Sequence, residues 1–225
     1  DHAAHIQAPA EAPKKVAKAI ASMRQGRRGP AALECAIDVW GQRGAVTPVA
    51  PLPARAPRID EDQVKAAAKV LGKAKRILMV VGGGALEASP EVTQLSDILQ
   101  APVLAYRRGR GVLDGRSPFS VTLPLGRELW GEADAVLGIG TRLLNPMAAW
   151  GVDKDLQIVR VDADHDEPGR QHKPKVALIG DAAPVLRKLI DTLGKTNTRR
   201  ASRRDEMVER QAKWKVRLQK IAPQL

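Results

Sequence analysis

The chain has 225 residues, a formal net charge of +12 and a single cysteine, Cys35. Its apolar runs are shorter than the roughly 20 residues that a membrane-spanning helix needs, so we expect no association with a membrane. One cysteine excludes an internal disulfide framework and favours a cytoplasmic location.

Residues 1–40 carry one helical pattern and one strand pattern. Four apolar residues recur at helical spacing within 16–21, and 29–39 resembles a short buried strand. One helix and one strand cannot bury their apolar faces alone, and the chain begins at Asp1 rather than at Met. We therefore expect this part to be the end of a domain whose beginning lies outside the sequence. Residues 41–59 hold four prolines and are predicted to be an extended linker.

Strand and helix patterns alternate from residue 60 to residue 194. A helix is predicted to begin with Asp60 in a capping box. The apolar run 77–81 then leads directly into Gly82-Gly83-Gly84. A continuous apolar run of this kind is typical of a strand buried on both faces of a parallel sheet. The next helix is predicted to begin at Ser89, which would act as its N-cap.

Further strands follow at regular intervals, at 102–105, 117–122, 135–140, 156–161 and 176–179. The repeated alternation predicts an α/β fold with a doubly wound parallel sheet of the Rossmann-like type. Ligands of such sheets bind beyond the carboxyl ends of the strands. Three of the predicted strand ends carry Gly, Arg or Asp, so we expect them to converge on one crevice.

The glycine turn fits a dinucleotide fingerprint only in part. In the pattern G-x-G-x-x-G/A, Gly82 and Gly84 fit, but the sixth position is Glu87. The acid that would bind an NAD ribose about 20 residues later is replaced by the basic stretch 106–111. The glycines therefore either approach a ligand or only make a tight connection. Three arginines of the basic stretch, Arg107, Arg108 and Arg110, either clamp an acidic ligand or have no binding role.

Most of the positive charge lies at the C-terminal end. Residues 195–225 carry ten Lys and Arg against three Asp and Glu. Neither aromatic interleaving nor zinc spacing nor an RNA-binding signature accompanies this charge, so we expect no nucleic-acid partner. We predict a solvated basic linker and helix. We also predict no metal site, because the acids and histidines at 162–172 match no known ligand spacing.

Several short motifs occur in the order found in thiamine diphosphate-dependent enzymes. The chain most resembles the acetolactate synthase-like branch of that family. The motifs are 29–34, the proline-rich linker, 81–85, 140–142, 161–164 and 180–182. The resemblance implies that 1–40 is the tail of a pyrimidine-binding domain. It also implies that 60–194 is the central domain and that 195–225 leads toward a pyrophosphate-binding domain.

The family holds thiamine diphosphate and Mg²⁺ through a Gly-Asp-Gly segment and activates the thiamine with an early glutamate. Neither is found in this sequence, so the resemblance implies that these 225 residues alone lack the parent activity and contain no catalytic residue. The parent would decarboxylate a 2-keto acid and pass the carbanion to an acceptor, as a transferase or a lyase. Family members form homodimers or tetramers, which the resemblance implies for the parent.

In some members the central domain binds FAD, in others ADP, and in others nothing. By resemblance, the glycine turn would approach the dinucleotide, and Gly140, Thr141 and Arg142 would meet phosphate or ribityl groups. Asp162 and Asp181 would accept hydrogen bonds from ribose or adenine. Flavin-binding members often carry a Gly-Met-His-Gly-like loop where this chain has 122–126, a departure at the isoalloxazine end.

Three hypotheses remain open from the sequence. The first is a central domain that binds FAD or ADP, or acts as a scaffold, within a thiamine diphosphate-dependent enzyme. The second is a purely structural module that supports a dimer and binds no nucleotide. The third is an independent NADP-binding protein in which Arg107 and Arg108 bind the 2′-phosphate.

Overall fold

A computed structural model describes residues 2–53, 57–196 and 200–221. The chain divides into two compact units, one up to Pro57 and one from Arg58 onward. Within the described ranges, no helix combines the length and the apolar composition that a bilayer span requires.

The first unit contains two strands rather than the single strand predicted. Its elements are β1 (His2–Ile6), α1 (Ala12–Met23), β2 (Ala31–Cys35) and the short α2 (Ile37–Trp40). Strands β1 and β2 pair in parallel around the crossover helix α1. The expectation of a buried strand was wrong in this unit, since the three central residues of β2 are exposed. The segment 41–53 after α2 has no regular helix or strand, as a linker requires.

The second unit is built on one six-stranded parallel sheet. Its strands are β3 (Ile77–Val81), β4 (Val103–Ala105), β5 (Ser120–Val121), β6 (Ala135–Ile139), β7 (Gln157–Asp162) and β8 (Val176–Ile179). Their order across the sheet is β5-β4-β3-β6-β7-β8, and every pair is parallel. The order reverses between β3 and β6, so the predicted doubly wound fold is confirmed. That reversal is the switch point where ligands of such sheets bind.

Helices cover both faces of this sheet. They are α3 (Glu61–Lys73), α4 (Ser89–Leu99), α5 (Leu123–Glu132), α6 (Ala182–Thr196) and α7 (Arg204–Ile221). Helix α6 packs against α3 and α4, while α5 packs against α7. All residues of β3 and β6 are buried, and their side chains alternate between the faces, so neither face is open to water.

A side-chain cap explains the start of α3 but not the start of α4. The carboxylate of Asp60 accepts hydrogen bonds from the N–H groups of Asp62 and Gln63, so Asp60 is the predicted N-cap of α3. Ser89, by contrast, is already the first residue of α4, and its hydroxyl donates to the carbonyl oxygen of Val112. The prediction of Ser89 as an N-cap was wrong because this long-range partner occupies the hydroxyl.

The C-terminal helix is docked rather than fully solvated. Met207 on α7 is completely buried, and Gln211 donates to the carbonyl oxygens of Pro118 and Ser120 beside β5. Arg210 donates to both carboxylate oxygens of Glu132 on α5, at 2.7 and 2.8 Å. The expectation of a solvated tail was therefore wrong for the first half of α7, where basic side chains are used in packing.

Candidate ligand site at the carboxyl edge of the sheet

The turn after β3 and the turn after β6 touch through their backbones at the switch point. The N–H of Gly82 donates to the carbonyl oxygen of Ile139 at 3.0 Å, and that of Gly84 donates to Gly140 at 3.1 Å. Each loop therefore fixes the other. The structure brings together the glycines that the sequence singled out on two separate strands.

Packing of one backbone on the other explains why three of these positions hold glycine. A Cβ atom on Gly82 would lie 2.4 Å from the carbonyl oxygen of Gly140, and one on Gly84 would lie 2.8 Å from the Cα of Gly140. Gly140 itself has a φ of +54°, which favours glycine, and its Cβ would lie 2.4 Å from Gly84. The Cα hydrogens of these three glycines therefore face the neighbouring loop. Contact with a ligand is not needed to explain why these positions hold glycine.

Gly83 differs from the other two glycines of the turn. A Cβ at this position would meet only the side chain of Arg108, at 3.3 Å from its Cβ. The N–H of Gly83 donates to no acceptor among the described residues. A free backbone donor beside an arginine is the kind of group that binds an anion.

The basic loop after β4 lies over the end of β3. The N–H of Tyr106 donates to the carbonyl oxygen of Val81 at 3.0 Å. A Cβ on Gly109 would lie 2.3 Å from that same oxygen, which explains the buried glycine here. The hydroxyl of Tyr106 also accepts a hydrogen bond from the side-chain amide of Asn145, beyond β6. The phenol ring therefore connects the segments that follow β4 and β6.

Two backbone conformations at this edge are strained. Among the described residues, only three non-glycine residues have a positive φ, and two of them are Arg107 at +39° and Leu143 at +52°. The third, Gln100, ends α4 in the left-handed conformation that is common at helix ends. Backbone strain of this kind collects at functional sites, where surrounding contacts maintain it.

Arg107, Arg108 and Arg110 are exposed, and none forms an ion pair in the described part of the chain. Arginines elsewhere in the second unit are commonly paired, as Arg187 is with Glu91 at 2.6 Å. The basic loop therefore concentrates unneutralised positive charge beside Gly83.

The residues Arg142, after β6, and Asp162, at the end of β7, have partners inside the protein. One carboxylate oxygen of Asp162 accepts from the N–H of Asp164 at 3.0 Å, and the other lies 3.7 Å from the guanidinium of Arg160. Burial raises the pKa of Asp162, against the opposing effects of that N–H and of Arg160. Arg142 is half-exposed, and its Nε lies 3.8 Å from the buried carboxylate of Glu167. Both predicted ligand residues therefore already have partners.

Asp181 is exposed and follows β8 at the far side of the edge. Three strand spacings of about 4.8 Å separate β8 from β3, so Asp181 lies about 14 Å from the glycine turn. One phosphate group cannot touch both places, whereas an extended nucleotide spans such a distance. Thr141 lies against the glycine turn. A Cβ atom added to Gly82 would lie 2.8 Å from the Cβ of Thr141.

Arg160 was not among the predicted site residues, although its position in the strand carried a signal. Arg160 interrupts an otherwise apolar strand of a sheet buried on both faces, and it is only 1% exposed. A charged residue in that position must have partners inside the protein. Glu167, in the turn after β7, is likewise buried and is 5% exposed.

The groups at this edge are suited to holding an anionic ligand. Among the described residues, His, Cys, Asp and Glu form no group of three that could hold a metal ion. The edge instead presents a backbone donor, guanidinium groups and carboxylates along one line. Such a set suits a ligand with phosphates at one end and hydroxyls or a base at the other.

Residues 64–189, more than half of the chain, match the family model of the thiamine pyrophosphate enzyme central domain. An acetolactate synthase of Arthrospira platensis is 27% identical over 204 residues, which cover 82% of this chain and 35% of that protein. A sulfoacetaldehyde acetyltransferase of Roseovarius nubinhibens is 32% identical over 173 residues, or 68% of this chain and 28% of that protein. The chain therefore spans roughly a third of the length of these curated relatives.

A solved structure of similar fold is benzoylformate decarboxylase from Polynucleobacter necessarius, with a TM-score of 0.75 at 18% sequence identity. It covers 90% of this chain, which corresponds to 40% of that protein, and it supports the fold alone. The family match includes all six strands of the large sheet. The chain therefore belongs to the thiamine pyrophosphate-dependent enzymes and carries their central domain.

Proposed function

We propose that the second unit binds the ADP portion of a nucleotide, either as ADP itself or as part of FAD. The observation that supports this most directly is the N–H of Gly83, which has no acceptor among the described residues and lies beside Arg108 of the basic loop, at the switch point of the sheet. A diphosphate placed there would meet a backbone donor and guanidinium groups, which form short, charge-assisted hydrogen bonds with phosphate.

The order of positive and negative groups along the carboxyl edge of the sheet suggests how the ligand would be oriented. The basic loop follows β4 and lies beside the glycine turn, whereas Asp162 ends β7 and Asp181 follows β8. Hydroxyl groups of a ribose donate well to carboxylates, and phosphates are repelled by them. The diphosphate would therefore lie at the glycine turn, and the ribose would extend toward the aspartates.

The ADP portion is better supported than a flavin ring. Helix α5 begins at Leu123, directly after Thr122, so the segment in place of a flavin-contacting loop is already helical. Gly126 is not available to a ligand, because a Cβ at this position would lie 2.7 Å from the side chain of Leu104. We therefore place the nucleotide at the glycine turn without a flavin contact from α5.

For the whole protein we propose a thiamine diphosphate-dependent reaction of the acetolactate synthase type. In such a reaction a 2-keto acid loses carbon dioxide, and the resulting carbanion is passed to an acceptor. The cofactor supplies this chemistry when it is bound, and the protein supplies orientation and the exclusion of water. The residues described here would contribute nucleotide binding and support, and none of them would act on the substrate.

A scaffold without nucleotide is the second candidate, and two observations favour it. Gly82, Gly84 and Gly140 are fully explained by the contact between their two loops. In addition, Asp162 and Arg142 already have partners inside the protein. A domain that only holds its neighbours in place would show the same features.

Calorimetric titration of the purified chain with ADP, FAD and NADP separates these functions. We expect ADP to bind, and we expect the double variant Arg107→Ala with Arg108→Ala to weaken binding by about tenfold or more, through loss of charged hydrogen bonds. Arg127→Ala is the matched control, since Arg127 is an exposed arginine on α5 and not part of the basic loop.

The remaining outcomes distinguish the alternatives. Absence of binding by all three nucleotides to the folded chain would contradict the proposal and favour the scaffold. Tighter binding of NADP than of ADP would indicate recognition of the 2′-phosphate instead. An equal loss of affinity in the Arg127→Ala control would show that only the overall charge matters.

A further inference from the structure

Arg160 lies in the middle of β7 with its side chain inside the protein. Its register partners are Gly138 on β6 and Ala177 on β8. Residues directly paired across a parallel sheet point to the same face, so two small neighbours leave space for a large side chain. The side chain of Leu143 packs against Gly138, and Arg160 is 1% exposed.

The guanidinium connects two loops that belong to different strands. One of its terminal nitrogens, Nη2, donates to the carbonyl oxygen of Thr141 after β6 at 2.7 Å. The other, Nη1, lies 3.4 Å from the carbonyl oxygens of Glu167 and Pro168, in the turn after β7. One side chain therefore contacts both loops.

Stability alone does not account for a charge in this place. Burial lowers the pKa of the Arg160 guanidinium, while the carboxylates of Asp162 and Glu167 raise it. Its Nε is buried without an acceptor among the described residues. Buried charges of this kind are often no more stabilising than apolar side chains of similar volume, and some of them serve to fix one conformation.

We propose that Arg160 is a positioning residue that couples the loop after β6 to the turn after β7. Through Thr141 it fixes the backbone that carries Arg142, and through the turn it fixes Glu167, whose carboxylate holds Arg142 from the other side. The coupling stands on the structure of this chain. Its consequence for nucleotide affinity rests on the proposed function.

Hydrogen–deuterium exchange of the whole chain tests the coupling without any ligand. We expect Arg160→Met to accelerate exchange at least about tenfold in both 140–143 and 166–170, because the hydrogen bonds that hold them are lost. Exchange in the central strand 77–81 should stay as in the wild type. Arg200→Met is the matched control, because Arg200 donates to the carbonyl oxygens of Leu71 and Ala74 at the opposite edge of the sheet.

Arg160→Lys separates the effect of the positive charge from the effect of contacting two loops at once. A lysine keeps the positive charge but lacks the planar fork that reaches two loops at once, so we expect at least one loop to exchange faster. Wild-type exchange in both loops of Arg160→Met would overturn the proposal, as would acceleration in only one of them. If neither Arg160 variant folds by circular dichroism, Arg160 is an ordinary core residue and the proposal is wrong.

ADP titration of the same variants adds the functional consequence. We expect Arg160→Met to bind ADP about tenfold more weakly and Arg200→Met to bind as the wild type does. Failure of the wild type to bind ADP would contradict the proposed function and leave the exchange result to decide on the coupling. Wild-type ADP affinity in a variant with accelerated loops would show that the coupling does not serve that ligand.

Discussion

Gly140→Ala tests whether contact between the two loops at the switch point holds the fold together. A Cβ at this position would lie 2.4 Å from backbone atoms of Gly84 and 2.7 Å from the nitrogen of Ala85, and no rotation moves it away. The φ of +54° costs an alanine about 1–2 kcal/mol. Displacing the neighbouring loop costs about 1–3 kcal/mol more, as overpacking does elsewhere. We therefore expect a loss of about 2–5 kcal/mol, a large share of the stability of a typical domain.

Urea unfolding followed by circular dichroism measures this loss. Gly131→Ala is the matched control, because Gly131 lies in α5 with no atom within 4 Å of its would-be Cβ. Alanine should gain about 0.5–1 kcal/mol there, as it does over glycine in other helices. If Gly140→Ala unfolds within about 0.5 kcal/mol of the wild type, the two loops do not constrain each other, and our explanation of the glycines fails.

Two further predictions concern the C-terminal helix. We expect Met207→Ala to lose about 2–5 kcal/mol in the same unfolding assay, because Met207 is fully buried, while Val208→Ala on the exposed side changes little. The hydrogen bond from Arg210 lowers the pKa of Glu132 below its usual 4.5, so its contribution to stability is present above that value and is lost as pH falls through the lowered pKa. Glu132→Gln should therefore show a weaker loss of stability on acidification, and an unchanged pH profile would contradict this assignment.

The parts of the fold that rest on local patterns were predictable. The apolar run before the glycine turn is β3, and its five residues are all buried. Asp60 caps α3, as predicted from an aspartate directly before a helical pattern. The parallel, doubly wound order followed from repeated alternation of strands and helices, because short connections permit few other arrangements.

Features that depend on distant partners were not predictable in the same way. β1 contains two histidines and two alanines among its five residues, so it lacks the β-branched pattern that marks a strand, and only its pairing with β2 reveals it. The hydroxyl of Ser89 was free to cap a helix until the fold placed Val112 beside it. The docking of α7 depends on ion pairs and on Met207, in a helix whose overall composition is polar.

The candidate site likewise has some features that were predictable from local sequence and others that depend on distant partners. Glycines at the ends of two strands predicted that their turns meet at one edge of the sheet, and the structure shows this contact. Their packing against each other could not be deduced, because it joins the turn after β3 to the turn after β6. Arg160 lies between these cases, since its place in an apolar strand signals burial but does not identify Thr141 as its partner.

The contact between Gln211 and β5 also affects the behaviour of this protein at high concentration. β5 is a short strand at the edge of the sheet, and edge strands can recruit strands of other molecules and start aggregates. The amide of Gln211 donates to two carbonyl oxygens there, at 2.8 and 2.9 Å, as a neighbouring strand would do. A helix thus occupies acceptors that another molecule would otherwise use, and loss of that helix would convert a protected edge into a template for self-association.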